Sequence, residues 1–291
     1  MTTVLSALSV GVLLRESVRR LEAASFPSAR RDAEWLLATV LGVERFHLYL
    51  EPAQEVAGSV AARVRALIER RAANEPLQHL LGFEDFRGLR LRVTPDVLIP
   101  RPETEGLVEW ALESLAPLPR PVAADVGTGS GAIACALAAA CPALEVLAID
   151  VSLAALAVAT ANARALGLAR RVRIVAGDLL APLAALAGGL DMIVANPPYL
   201  PSASLPALPP EVARFEPRLA LDGGPDGLRV IRRIVAEAPA VLRPGGALVM
   251  EIGEEQAGGV ASLLAAEGFS GIAARRDLRG VERYIAGRLG D

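Results

Sequence analysis

Over residues 4 to 74, apolar side chains recur three and four positions apart in "VLLRESVRRLEAAS", "ARRDAEWLLATVLG" and "SVAARVRALIERRAA", with Ser, Pro or Gly bounding each run. Each run therefore carries one apolar stripe, which predicts a small helical domain. Arg and acidic residues nearly balance on the remaining positions, and that surface reads either as a solvated face or as a protein-docking face. At residue 83 the period changes. In "FEDFRGLRLRV" Leu89, Leu91 and Val93 alternate with Arg90 and Arg92, and Gly88 separates two short runs, so residues 83 to 93 predict a β-hairpin. In "TPDVLIPRPETEGLVEWALESL", which follows, Pro102 suits a first helical turn and Glu103 and Glu105 suit the positive end of a helix dipole.

From residue 121 onward strand-like and helix-like runs alternate. "VAADVG" leads to a helix ending near Ala140, "EVLAID" to a helix from Ser152 to Leu166 closed by Gly167, and "VRIVAGD" and "DMIVANPPY" come next. A helix near residues 226 to 242, the turn "RPGG", the strand "ALVMEIG", another helix and a hairpin over "GIAARRDLRGVERYIAGRL" complete the chain. This alternation predicts an α/β fold, doubly wound around a mostly parallel sheet. The expected organisation is a helical domain over 1–82, a hairpin linker over 83–95 and the α/β domain over 96–291.

Composition narrows the chemistry. The 291 residues are 53% hydrophobic and 22% charged, enough for one large or two ordinary soluble domains. Net charge is −3, every basic residue is Arg, and no basic block appears, which argues against electrostatic capture of nucleic acid or an anionic membrane. No signal-peptide pattern or membrane-length apolar run occurs, so a cytoplasmic location is expected. Cys135 and Cys141 fit small buried helix residues, and the only histidines, His47 and His79, fall in helical segments, so a metal centre or His-based hydrolase is not expected.

Four strand ends carry polar motifs: "DVGTGSG", "ID", "GD" and "NPPY". Ligands on such sheets bind at carboxyl ends of strands. Gly127, Gly129 and Gly131 allow a tight turn and close approach of backbone to a ligand. Their spacing differs from the dinucleotide fingerprint, and no Lys follows, so a pyrophosphate loop and a P-loop are excluded. Asp150 suits both hydroxyls of a ribose, and Asp178 lies within reach of an adenine edge; each alone also reads as a turn former. Together with the loop they fit an adenosine-bearing ligand without a pyrophosphate.

"NPPY" ends the strand over 191–195. Pro197 and Pro198 stiffen the backbone, so the Asn196 side chain and the Pro197 carbonyl can accept both hydrogens of one substrate NH2 group, and Tyr199 can offer a flat face for stacking. These motifs in this order resemble the class I methyltransferases that use S-adenosylmethionine, with their seven-stranded sheet. "PDVLIPRPETEGLVEWAL", "FEPRLALDGGPDGL" and "DLRGVERYIAGR" resemble the peptide chain release factor glutamine methyltransferases over nearly the whole chain.

The resemblance implies N5-methylation of the Gly-Gly-Gln glutamine of class I release factors, without direct nucleic-acid or membrane binding. It places Gly127, Thr128, Gly129, Ser130 and Gly131 on S-adenosylmethionine, Asp150 on its ribose, Asp178 and Leu179 at the adenine, and Asn196 to Tyr199 on the glutamine, with Asn196 also near the cofactor. Leu179 departs from the aromatic or amide residue that some relatives carry. Rival expectations are a ribosomal-protein glutamine methyltransferase, an adenine N6-methyltransferase of DNA or RNA, and a non-enzymatic S-adenosylmethionine scaffold. In "IPRPETE", Arg101 and Glu103 read either as an ion pair at a helix start or as part of the substrate entrance.

Overall fold

The computed structural model describes residues 8–116 and 118–290. Contacts divide the chain into two units, one comprising residues up to Gly82 plus Pro210–Phe215, the other Phe83–Pro209 plus the chain from Glu216 onward. The α/β region is therefore interrupted by six residues that cluster with the helices. The uninterrupted 96–291 expectation did not anticipate this.

The helical unit contains α1 (Val10–Ala23), α2 (Ala29–Leu41), α3 (His47–Leu50), α4 (Gly58–Ala72), α5 (Leu77–Leu81) and, much later in the chain, α9 (Pro210–Phe215). Residues 4 to 7 of the periodic stretch lie outside the described residues. Leu13 and Leu21 of α1, Leu36 and Leu37 of α2, and Val64 and Ile68 of α4 form one buried core, which is where the three apolar stripes meet. Gly42 takes a left-handed conformation and closes α2. Helices α3 and α5 span four and five residues, too short for an apolar period to announce them.

The second unit opens with a hairpin, β1 (Phe83–Phe86) and β2 (Leu89–Arg92), turned by Arg87 and Gly88, both at positive φ as a two-residue hairpin loop requires. The hairpin belongs to this unit's core: Phe86 and Leu91 are buried there, and Asn162 bonds both the N–H and the carbonyl of Arg92. Next come α6 (Thr104–Leu115), β3 (Val122–Val126), α7 (Ala132–Ala140), β4 (Glu145–Asp150), α8 (Leu153–Ala165), β5 (Val172–Ala176) and β6 (Leu190–Ala195). The chain ends with α10 (Arg229–Glu237), β7 (Leu242–Glu251), α11 (Ala257–Ala266), β8 (Phe269–Arg276) and β9 (Glu282–Leu289).

Seven strands form one sheet in the order β5-β4-β3-β6-β7-β9-β8, with β9 antiparallel to both neighbours and the remaining pairs parallel. Alternate residues face opposite layers. Met192 and Val194 join Leu107 of α6 and Leu137 of α7, whereas Ile193 and Ala195 join Ile231 of α10 and Val260 of α11. Burial on both faces explains why these strands read as unbroken apolar runs. "RPGG" is not a separate turn: it lies inside β7, where pairing with β6 shifts between Leu190 and Met192. Helix α10 ends at Glu237 and passes into a tight turn containing Pro239, which cannot donate to a continuing α-helix. The chain leaves β3 toward β4 and β5, then returns to β6 on the other side, so the carboxyl ends of these strands open on one crevice.

Candidate active site

The crevice holds a cavity of about 320 Å³ whose walls include Gly127 to Ser130, Asp150, Asp178, Leu179, Asn196 and Pro198. Four motifs separated by up to about seventy residues of sequence thus meet. Gly131, Pro197 and Tyr199 are not part of this lining.

The glycine loop hangs from β4, because the Gly127 and Thr128 N–H groups donate to the Ile149 carbonyl at 2.9 and 2.8 Å. Gly127 and Gly129 have positive φ, and a Cβ on either would meet no protein atom within 4 Å, so bare backbone faces the cavity. Gly131 has a different role. It starts α7 at positive φ, and a Cβ there would lie 3.1 Å from the Ala159 side chain, so this glycine lets α7 approach α8. Beneath the loop, Asp125 is fully buried and accepts from the Thr128 hydroxyl at 2.6 Å and the Ala134 N–H at 3.1 Å. Burial pushes its carboxyl up to about 7 despite those two bonds.

Asp150 takes one N–H on each oxygen, from Gly129 and from Ser152, each at 2.9 Å. Each carboxylate oxygen keeps further acceptor capacity, so shaping the turn leaves the group able to bind hydroxyls. Asp178, which also lines the cavity, is differently placed: Arg233 donates to both of its oxygens at 3.1 and 3.0 Å in an exposed ion pair. Leu179 beside it has φ +50°, a strained conformation for a residue with a side chain, held in part by the Leu180 N–H donating to Glu237.

At the end of β6, Asn196 Nδ2 donates to Thr104 Oγ1 at 3.1 Å, and the Thr104 hydroxyl donates to Glu251 Oε2 at 2.7 Å. The Tyr199 hydroxyl donates to the other Glu251 oxygen at 3.3 Å. The half-buried tyrosine ring packs against the core under α10 and α11. Gln256 Nε2 holds the Tyr199 carbonyl at 3.0 Å, and a Cβ on Gly223 would come within 2.7 Å of the Pro198 carbonyl, so the "DGGPDG" loop packs directly against the "NPPY" backbone. Burial pushes Glu251 up to about 7, the Thr104 and Tyr199 hydroxyls and Arg283 offsetting only part of that cost.

Sequence reasoning did not single out Thr104 and Glu251. The available signal was an acid inside the apolar run "ALVMEIG", since a carboxyl in a buried strand needs partners. The Arg101–Glu103 ion pair is corrected: Arg101 reaches both oxygens of buried Glu216 at 2.7 Å. Residues two apart at a helix start point in different directions, and the Glu103 carbonyl instead accepts from the Tyr284 hydroxyl.

Residues 13–82 match the family model described as PrmC N-terminal domain, and residues 109–205 match the methyltransferase small domain. A release factor glutamine methyltransferase of Moorella thermoacetica is 51% identical over 255 residues, covering 88% of this chain and 89% of the relative. That of Geobacter sulfurreducens is 44% identical over 264 residues, covering 90% of each. Among solved structures, the N-terminal domain of human METTL16 in complex with SAH aligns with a TM-score of 0.54 at 19% identity, over 77% of this chain and 84% of that one. At that identity the likeness concerns the fold alone.

Proposed function

The chain belongs to the release factor glutamine methyltransferase family, and we propose that it transfers the methyl group of S-adenosylmethionine to the side-chain N5 of the Gly-Gly-Gln glutamine in class I release factors. The observation that carries this reading is the convergence of a bare glycine loop, the Asp150 carboxylate and the Asn196 amide on one cavity. The loop suits the cofactor because Gly127 and Gly129 present backbone with no protein atom in the way. The Gly127 to Ser130 backbone and the remaining acceptor capacity of Asp150 would hold it, with Leu179 as an apolar wall for the adenine.

When bound, S-adenosylmethionine supplies a methyl group activated by its sulfonium. An amide nitrogen is a poor nucleophile because its lone pair is delocalised into the carbonyl, so the chain's task is positioning. Asn196 Oδ1 and the Pro197 carbonyl accept the two N–H bonds of the glutamine, fixing the nitrogen and favouring the geometry in which resonance is lost. The nitrogen becomes acidic as its lone pair is engaged, and water suffices to take a proton. No histidine is required.

In the same proposal the helical unit selects the protein acceptor, since one glutamine side chain offers too few contacts for selectivity. Val43, Phe46, Tyr49 and Leu50, exposed in and before α3, supply apolar surface for it. A cytoplasmic location accords with this substrate. Among the described residues no helix is long and apolar enough to cross a membrane. The test is to incubate the enzyme with labelled S-adenosylmethionine and either intact release factor or a short Gly-Gly-Gln peptide, then locate the label by peptide mass spectrometry. Label on that glutamine, with faster transfer to the intact factor, is expected. Label on another residue would overturn the substrate assignment, and equal rates would overturn the role of the helical unit.

A further inference from the structure

We infer that Thr104 and Glu251 are positioning residues that decide which end of the Asn196 side-chain amide faces the acceptor. This rests on the reading that Asn196 accepts from the glutamine NH2, and it supplies what that reading lacks, a reason for the amide to present oxygen. An amide has two ends of similar shape and opposite hydrogen-bonding sense. If Nδ2 faced the acceptor, donor would meet donor.

The direction is set by counting protons. Ionised Glu251 has only acceptors, so the Thr104 hydroxyl spends its single proton on Oε2, at 2.7 Å. Thr104 Oγ1 is then left with lone pairs and can only accept from Asn196, which turns Nδ2 toward it at 3.1 Å and Oδ1 away. The Tyr199 hydroxyl gives its proton to Oε1 at 3.3 Å, so both ends of "NPPY" are tied to one carboxylate. Burial leaves water little access to this order: Thr104, at the cavity wall, is 5% and Glu251 1% exposed. Protonation of Glu251 removes the constraint, because a carboxylic acid can donate to Thr104, which then donates to Asn196 and reverses the amide. The charged and titratable groups that face the carboxyl are Arg283 and Tyr284 on β9, Tyr199, and Glu103 ahead of α6. With Glu251 raised to about 7, turnover should decline as pH falls through that value.

The experiment compares wild type, Thr104→Val and Thr104→Ser on intact release factor at saturating S-adenosylmethionine, with cofactor affinity measured by calorimetry. Thr104→Val keeps the shape and deletes the relay; kcat should fall about tenfold or more. Cofactor Kd should stay within about twofold, Thr104→Ser should restore kcat, and the acid limb should flatten in Thr104→Val. If Thr104→Val does not fold, Glu251→Leu reads the same path and should lower kcat by a similar factor. Wild-type turnover in whichever of these two variants folds, or equal losses in the Val and Ser variants, overturns the inference. Asn196→Ala separates the two layers: if that variant turns over normally the underlying reading fails, whereas its inactivity beside a normal Thr104→Val removes only the relay.

Discussion

In the helical unit Asp32 is completely buried, and Arg71, itself buried, reaches it at 2.9 Å through Nε while Nη1 reaches Glu211 of α9 at 2.9 Å and the Glu75 carbonyl at 3.0 Å. The guanidinium also lies 4.2 Å from the Phe26 ring centre. In the sheet unit Asp125 and Glu251 are as deeply buried, yet among the described residues neither forms an ion pair, and hydroxyl and N–H donors hold them instead. A carboxylate opposite a guanidinium is compensated and fixed. One held by neutral donors stays near the balance between its two protonation states, as the raised values of about 7 for Asp125 and Glu251 show. The first arrangement anchors α9 to a helix bundle. The second lies beneath a site.

The largest effect should come from breaking the compensated arrangement. Arg71→Ala leaves buried Asp32 with only the exposed, more distant Arg31 at 3.7 Å and should cost about 3 kcal/mol or more, read from the midpoint of chemical denaturation. Pairing it with Asp32→Leu should recover much of that loss, because a matched apolar pair carries no desolvation cost. A neutral Arg71→Ala would erase the contrast between the units.

Asp150→Ala should weaken S-adenosylmethionine binding about tenfold to a hundredfold, since a hydrogen bond to a charged group contributes roughly 1.5 to 3 kcal/mol. Calorimetry checks this. Unchanged affinity would reduce Asp150 to the turn that its Gly129 and Ser152 bonds already form.

The smallest effect concerns stability against pH. Glu251 has a folded value of about 7 against 4.5 for the free side chain, so between those values the folded state binds more protons than the unfolded one. Stability therefore falls as pH rises through that window and levels off above it, and Asp125 adds a fall of the same sign. Glu251→Gln removes one contribution and should be more stable than wild type at about pH 8, with the difference vanishing near about pH 4. Thermal melts across pH would show this, and a Gln variant less stable at high pH would mean that the carboxylate is compensated after all.

The architecture of the sheet unit was legible because the central strands, buried on both faces, read as apolar runs and the four parallel strands β3 to β6 end in motifs at the same edge. The three long helices were legible by their stripes. What the sequence concealed are relations between distant residues: α9 grouping with helices that end more than a hundred positions earlier, Arg101 reaching Glu216, Asp178 held by Arg233, and Thr104 joining Asn196 to Glu251. Periodicity reports which face is buried and is silent on which polar groups meet inside. Tyr199 illustrates the limit: an aromatic after two prolines suggested a stacking surface, while the bond of its hydroxyl to Glu251, which anchors the loop, left no signal in the sequence.

The central claim is that Asn196 grips the acceptor rather than the cofactor or the fold, and single-turnover methylation by Asn196→Ala tests it most directly. With intact release factor and saturating S-adenosylmethionine, the rate of the methyl-transfer step should fall about a hundredfold or more, while cofactor affinity and melting temperature remain close to wild type. A transfer rate near that of wild type, or a loss explained entirely by weaker cofactor binding, would contradict the account.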